Sequence, residues 1–184
     1  MLDRAARLAR LGTRLVSALA GLLMLALLAF GGFALWQDAA LRRGAFVGAE
    51  LLQYKPAAPA ADNPTLAGLQ TVNPDVCGWL TLDGTRIDYP VVQGADNMVY
   101  VNTDVYGNFS LSGAIFLDTR CAADFTAPYS IVYGHHIEDG GMFGDIAQFT
   151  GDDYFAAHTT GTLVTDDAAY SITPFACVQA DASD

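Results

Sequence analysis

Between Arg14 and Asp38 the chain runs from Leu15 to Gln37 without a single charged residue, and Leu, Ala, Gly and Phe dominate that run. A helix rises about 1.5 Å per residue, so one built on this stretch crosses a hydrocarbon layer roughly 30 Å thick. A core helix of a globular domain seldom goes so far without a charge. We therefore read residues 15–37 as a transmembrane anchor. Arg4, Arg7, Arg10 and Arg14 precede it, whereas Arg42 and Arg43 lie beyond it together with Asp38. Arginines on the leading side keep that end in the cytoplasm. Residues 1–14 then form a cytoplasmic basic tail, and the larger part of the chain faces outward. A cleaved signal peptide has a shorter apolar region, about 7–15 residues. The small-residue pattern Ala18-Leu19-Ala20 lies inside the run rather than after it, which favours an uncleaved, single-pass anchor.

Beyond Arg43 the charge balance reverses, with eighteen acidic residues against Lys55, Arg86 and Arg120. Such a surface repels phosphates, which argues against a nucleic-acid partner. It tolerates an amine-bearing one, although an acidic surface also serves solubility alone. The cysteines Cys77, Cys121 and Cys177 are odd in number and far apart, so they form neither a disulfide framework nor a zinc pattern. Cys77 and Cys177 sit in strand-like segments and read as small core residues, and Cys121, in a polar loop, reads as the exposed thiol. No metal or cofactor is expected.

Residues 38–64 read as a juxtamembrane helix and then a stiff spacer, Pro56-Ala57-Ala58-Pro59-Ala60-Ala61, since proline fixes φ and cannot continue a helix. A short helix fits Pro64 to Val72. From Cys77 the alternation of Gly78–Leu82 and Thr85–Tyr89 around Asp83-Gly84 predicts a hairpin. Gly113–Leu117 and Ser130–Tyr133 read as short buried strands. Met142, Phe143, Ile146 and Phe149 return at helical spacing, Asp152 or Asp153 suits a helix N-cap, and Thr162–Thr165 with Ala169–Val178 reads as a second hairpin. The fold class is mainly β with added helices, a barrel or closed sheet.

Asn73-Pro74-Asp75-Val76, Gly78-Trp79, Ile87-Asp88-Tyr89-Pro90-Val91-Val92-Gln93 and Asp96-Asn97 resemble the opening of the class B sortases. Gly113–Asp118, Tyr133-Gly134-His135-His136 and Met142-Phe143 continue the likeness in family order across roughly residues 65 to 180. The resemblance implies a sortase-type β-barrel in residues 65–184, fixed outside a Gram-positive cell membrane by the anchor. It also implies a cysteine transpeptidase that cleaves a C-terminal sorting signal of secreted proteins. The acyl group, held as a thioester, passes to an amine of a peptidoglycan precursor or a pilin.

His135 matches the family's catalytic histidine. An imidazole beside a thiol helps form the thiolate and returns a proton to the leaving amine. An isolated strand-end histidine would not carry that reading without the motif. Asn97 matches a substrate-groove asparagine, with a simple Asp-Asn turn as the other reading, and Tyr133 is expected to pack beside the site. His158 reads as surface or packing. The family nucleophile lies in a Thr-Leu-x-Thr-Cys strand, with an arginine on the next strand, and neither motif occurs between Met1 and Asp184. Cys177 lies on an earlier strand, and Arg86 and Arg120 come too early. The expectation is a chain that ends before its catalytic strand, with an incomplete barrel and no transpeptidation of its own. Three alternatives stay open: an inactive, membrane-tethered binding or assembly module; a dyad of His135 with Cys121 or Cys177; and a metal hydrolase built on His135, His136 and His158. Adjacent strand histidines make the last a poor ligand set. With the orientation proposed, a protease added outside intact cells digests the segment beyond Arg43 and spares a tag placed before Arg4. Loss of that tag would reverse the topology.

Overall fold

The structure is a computed structural model that describes residues 2–56 and 64–181. The Pro/Ala spacer lies outside the described residues beyond Pro56. The chain divides into two compact units, Met1–Ala40 and Leu41–Asp184. In the first, helix α1 (Leu2–Gly44, whose last turn belongs to the second unit) carries the uncharged run. Its large apolar side chains, from Leu15 to Trp36, are exposed. It is long and apolar enough to cross a membrane.

In the second unit the chain leaves α1 and makes one further turn of helix, α2 (Ala49–Leu52), so the juxtamembrane helix expected before the spacer is interrupted. Helix α3 (Pro64–Val72) comes next, as expected. The strands are β1 (Val76–Leu82), β2 (Asp88–Val92), β3 (Ile115–Leu117), β4 (Val132–Tyr133), β5 (Gly161–Val164) and β6 (Ala169–Ile172). They form one sheet in the order β4-β3-β2-β1-β5-β6. Only β2 and β3 pair parallel; the other neighbours are antiparallel. Among the described residues the sheet is open, with β4 and β6 at its edges, in line with the incomplete barrel expected from the sequence. The last hairpin strand is also shorter than expected, stopping at Ile172. The helical spacing after Gly140 becomes a 3-10 turn, Gly144–Thr150. Helix α4 (Asp152–Ala157) is preceded by Gly151 with no side-chain cap, so neither Asp152 nor Asp153 caps it.

Period-two alternation places a core on each face of the sheet. Val92 and Phe116 join Val76 and Trp79 beneath Leu66 and Leu69 of α3, with Tyr100 and Val105. Val91 and Ile115, one residue earlier on the same strands, join Leu117, Ile87, Tyr89, Ala45, Ile137 and Met142 on the other face. The pairing Val91 with Ile115 and Val92 with Phe116 keeps both sets in register. A slip by one residue would exchange them.

Trp79 is 1% exposed, and its indole Nε1–H donates to Asp88 Oδ1 at 2.8 Å. Thr81 Oγ1 donates to the same oxygen at 2.9 Å, and Lys55 Nζ reaches Asp88 Oδ2 at 2.6 Å. Trp79→Ala should destabilise the domain by about 3–5 kcal/mol, as large core truncations do. A urea midpoint unchanged from wild type would contradict this packing.

Candidate active site

Strand β3 ends at Leu117, and the next residue, Asp118, has no exposed surface. Its backbone N–H continues the ladder to Ile131 O at 2.9 Å, which fixes the carboxylate at the start of β4. Five donors converge on it. Oδ1 accepts from the Arg120 backbone N–H at 2.8 Å and from Arg120 Nε at 2.9 Å. Oδ2 accepts from Arg120 Nη2 at 2.8 Å, Tyr133 Oη at 2.9 Å and Asn97 Nδ2 at 3.0 Å. A buried carboxylate is tolerated only when it is paired and fully hydrogen-bonded. The Arg120 guanidinium beside it, helped by the Arg120 backbone N–H and the other donors, holds the Asp118 carboxyl well below the usual carboxylate range. In turn the hydrogen bond to Asp118 pushes the Tyr133 phenol up.

Two of the site residues expected from the sequence, Asn97 and Tyr133, therefore meet through a third that was not expected. Asn97 is locked at both ends of its amide, because Oδ1 accepts from the Thr119 N–H at 2.9 Å while Nδ2 serves Asp118. One amide hydrogen and one lone pair of that amide are left over by these two bonds. Tyr133 rests on Phe116, with ring centroids 5.2 Å apart, and donates its hydroxyl hydrogen to Asp118, so its oxygen faces other groups as an acceptor. The signal for Asp118 was present as Leu117-Asp118-Thr119-Arg120, an acidic residue ending an apolar strand with an arginine two residues on.

His135 lies two residues past Tyr133 and is half-buried. Gly134 between them is closely approached: a Cβ there would sit 2.3 Å from Ile115 Cδ1 and 2.8 Å from Phe143 Cδ2, so those side chains would have to shift. The His135 carbonyl accepts from the Phe143 N–H at 2.9 Å. Among the described residues its imidazole has no hydrogen-bond partner. The neighbouring His136 is exposed and bridges to Met142. It lines a cleft of about 530 Å³ with Gly134, Phe143, Ile146, Thr150 and Cys177. His158 packs on Tyr154, with ring centroids 3.9 Å apart, and its Nδ1 lies 2.8 Å from Tyr154 O.

The thiols depart from the sequence-based expectation. Cys121, expected to be exposed, is half-buried, and its Sγ accepts from the Ile131 N–H at 3.4 Å. Cys177, expected in the core, is half-buried beside the cleft, with Sγ 3.7 Å from Ile146 O. Cys77 is half-buried on β1, its Sγ donating to Val91 O at 3.4 Å, and burial pushes its thiol up to about 12. Among the described residues no cluster of three or more His, Cys, Asp or Glu could hold a metal ion.

No family model matches the chain. Sortase B of Listeria monocytogenes is 36% identical over 111 residues, which cover 60% of this chain and 45% of that protein. Sortase B of Staphylococcus aureus is 34% identical over 95 residues, 52% of this chain and 39% of that protein. The chain thus spans less than half the length of these curated relatives. Among solved structures, a Streptococcus pyogenes class B sortase involved in pilus biogenesis superposes with a TM-score of 0.62 at 42% identity, covering 64% of this chain and 65% of that one. Sortase B of Bacillus anthracis gives 0.62 at 28% identity, over 67% of this chain and 60% of its own. By sequence and by fold, the chain is similar to class B sortases.

The hydrogen bonds to Asp118 predict a pH signature for it. Its carboxyl is depressed in the folded domain, so its contribution to stability is complete above the unfolded-state value of about 4 and is lost as pH falls toward the folded value. Asp118→Asn should lower the urea midpoint at pH 7 and flatten its decline below pH 4. A variant whose midpoint falls with pH as steeply as wild type would show that the charge is unimportant.

Proposed function

We propose that the domain performs the chemistry of a class B sortase, a cysteine transpeptidase acting on a sorting-signal peptide at the outer face of the cell membrane. The observation that carries this reading is the convergence of Asn97 and Tyr133 on a buried, ionised Asp118, with a half-buried His135 two residues past Tyr133, within a sortase fold. In this reading the His135 imidazole takes the proton of a cysteine thiol, whose pKa is ordinarily about 8.5. The thiolate attacks the scissile carbonyl. As the tetrahedral adduct collapses, the imidazolium gives its proton to the leaving amine and a thioester remains. An amine of the peptidoglycan precursor or of a pilin then attacks the thioester, passing its proton to the imidazole and releasing the thiolate. Asn97 and Tyr133 hold the extended signal by their fixed donor and acceptor groups. One of the superposing structures, from S. aureus at 30% identity and a TM-score of 0.57, is a sortase B–substrate complex, which supports reading this domain as one that binds a substrate. Helix α1 tethers the domain.

A second reading, a membrane-tethered binding module whose own thiols do no chemistry, draws support from the thiols themselves. Cys77, Cys121 and Cys177 each have an Sγ contact elsewhere, and none of those contacts is to His135. Under both readings Asn97→Ala weakens sorting-peptide binding. Under the transpeptidase reading, in a polypeptide joining this domain to the reactive cysteine, His135→Ala lowers cleavage by about 10²–10⁴-fold with peptide binding retained. Cleavage that persists undiminished in His135→Ala would remove the histidine from the mechanism.

A further inference from the structure

The loop after His135 is held by a device that the proposed chemistry does not use. Ala45, one residue past the end of α1, is completely buried. Its carbonyl accepts two hydrogen bonds, from Tyr89 Oη at 2.8 Å and from the Met142 N–H at 3.0 Å. The Met142 N–H is shared, since it also reaches Tyr89 Oη at 2.8 Å. Tyr89 thus uses its one hydrogen on Ala45 and a lone pair on Met142. It is 5% exposed, and burial pushes its phenol up to about 12, so the hydroxyl keeps its hydrogen at physiological pH.

Met142 occupies a left-handed conformation, φ 53°, that L-residues rarely adopt. Its surroundings must hold it there. Gly141 lies flat on the same segment, because a Cβ at that position would sit 2.7 Å from Ala45 Cβ and 3.0 Å from Ala45 O. At the loop's outer edge Arg42 pairs with Asp139. Arg86 donates to the Asp139 carbonyl from Nη1, and to Asp145 Oδ2 from its backbone N–H at 2.7 Å. The far side of the loop connects to the histidines. Met142 bridges to His136, and the Phe143 N–H donates to His135 O at 2.9 Å.

We propose that Tyr89 is a positioning residue for His135, acting through the Met142–Phe143 backbone, with Ala45 as the fixed point against which the loop is held. The segment that leaves the apolar helix is therefore part of the histidine's support. The positioning role rests on His135 being the catalytic base, whereas the support itself is tested without activity. Hydrogen exchange on the full chain in detergent micelles compares wild type with Tyr89→Phe, which removes only the hydroxyl, and with Gly141→Ala, which pushes the loop off Ala45. Amides of residues 137–144 should exchange about tenfold faster, the effect of one lost buried hydrogen bond, while β1 and β2 keep wild-type protection. The His135 ring C–H resonance should shift or broaden in Tyr89→Phe while that of His158, stacked on Tyr154, stays in place. Acceleration confined to the loop in either variant, with the His135 shift, supports the proposal. Loop exchange unchanged in both variants, or rising equally with β1, overturns it, as does an unmoved His135 resonance. The cleavage assay of His135→Ala fails or succeeds independently of these readings.

Discussion

A carboxylate with no exposed surface must be compensated within the fold, and the compensation of Asp118 organises everything around it. Arg120 alone could neutralise the charge, yet the remaining lone-pair directions are filled by Tyr133 and Asn97. Each of those side chains is fixed in polarity as a result. An amide can otherwise flip and a phenol can otherwise rotate. Here the ionised acceptor dictates that Asn97 directs nitrogen inward and that Tyr133 spends its hydrogen there. Among the described residues no buried side-chain nitrogen or oxygen lacks a partner, so the network is closed rather than half-satisfied. Such a network gives the surface around Asp118 a defined pattern of donors and acceptors.

The same strand pair that carries this network also places the histidine. β3 and β4 run antiparallel, with Phe116 opposite Tyr133 and Leu117 opposite Val132. Asp118 and the first residues of β4 therefore lie at one end, and Gly134-His135 leave from the other. The bare Gly134 lets Ile115 and Phe143 close over the chain at that exit. One end of a two-residue strand is thus held by electrostatics and the other by packing. The loop beyond it is held by hydrogen bonds to Tyr89 and Ala45.

Much of this was legible in the residues. The apolar run read as one long helix, Pro64–Val72 as a short one, and the hairpin of β1 and β2 from its alternation around Asp83-Gly84. Motif likeness singled out His135, Asn97 and Tyr133. What escaped were features decided by distance in space rather than in sequence. Asp118 could be paired with Arg120 from the local pattern, but nothing local shows that Asn97, twenty-one positions earlier, folds over it. Cys121 looked exposed because its polar neighbours hide its contact with the backbone of Ile131. The spacing of Met142, Phe143, Ile146 and Phe149 suggested a helix. Hydrogen bonds from the Met142 N–H to Ala45 and Tyr89 instead hold that residue in a left-handed turn, and only a 3-10 segment succeeds it.

The sequence by itself determined the long apolar helix, the acidic character of the chain beyond Arg43 and the strand alternation, because each depends on composition or on a period of two to four residues. Tertiary structure alone decided that Ala45 supports the histidine loop and that Asp118 orients Asn97 and Tyr133. Those outcomes depend on which distant backbone and side-chain groups satisfy one another after burial. No local pattern encodes that pairing.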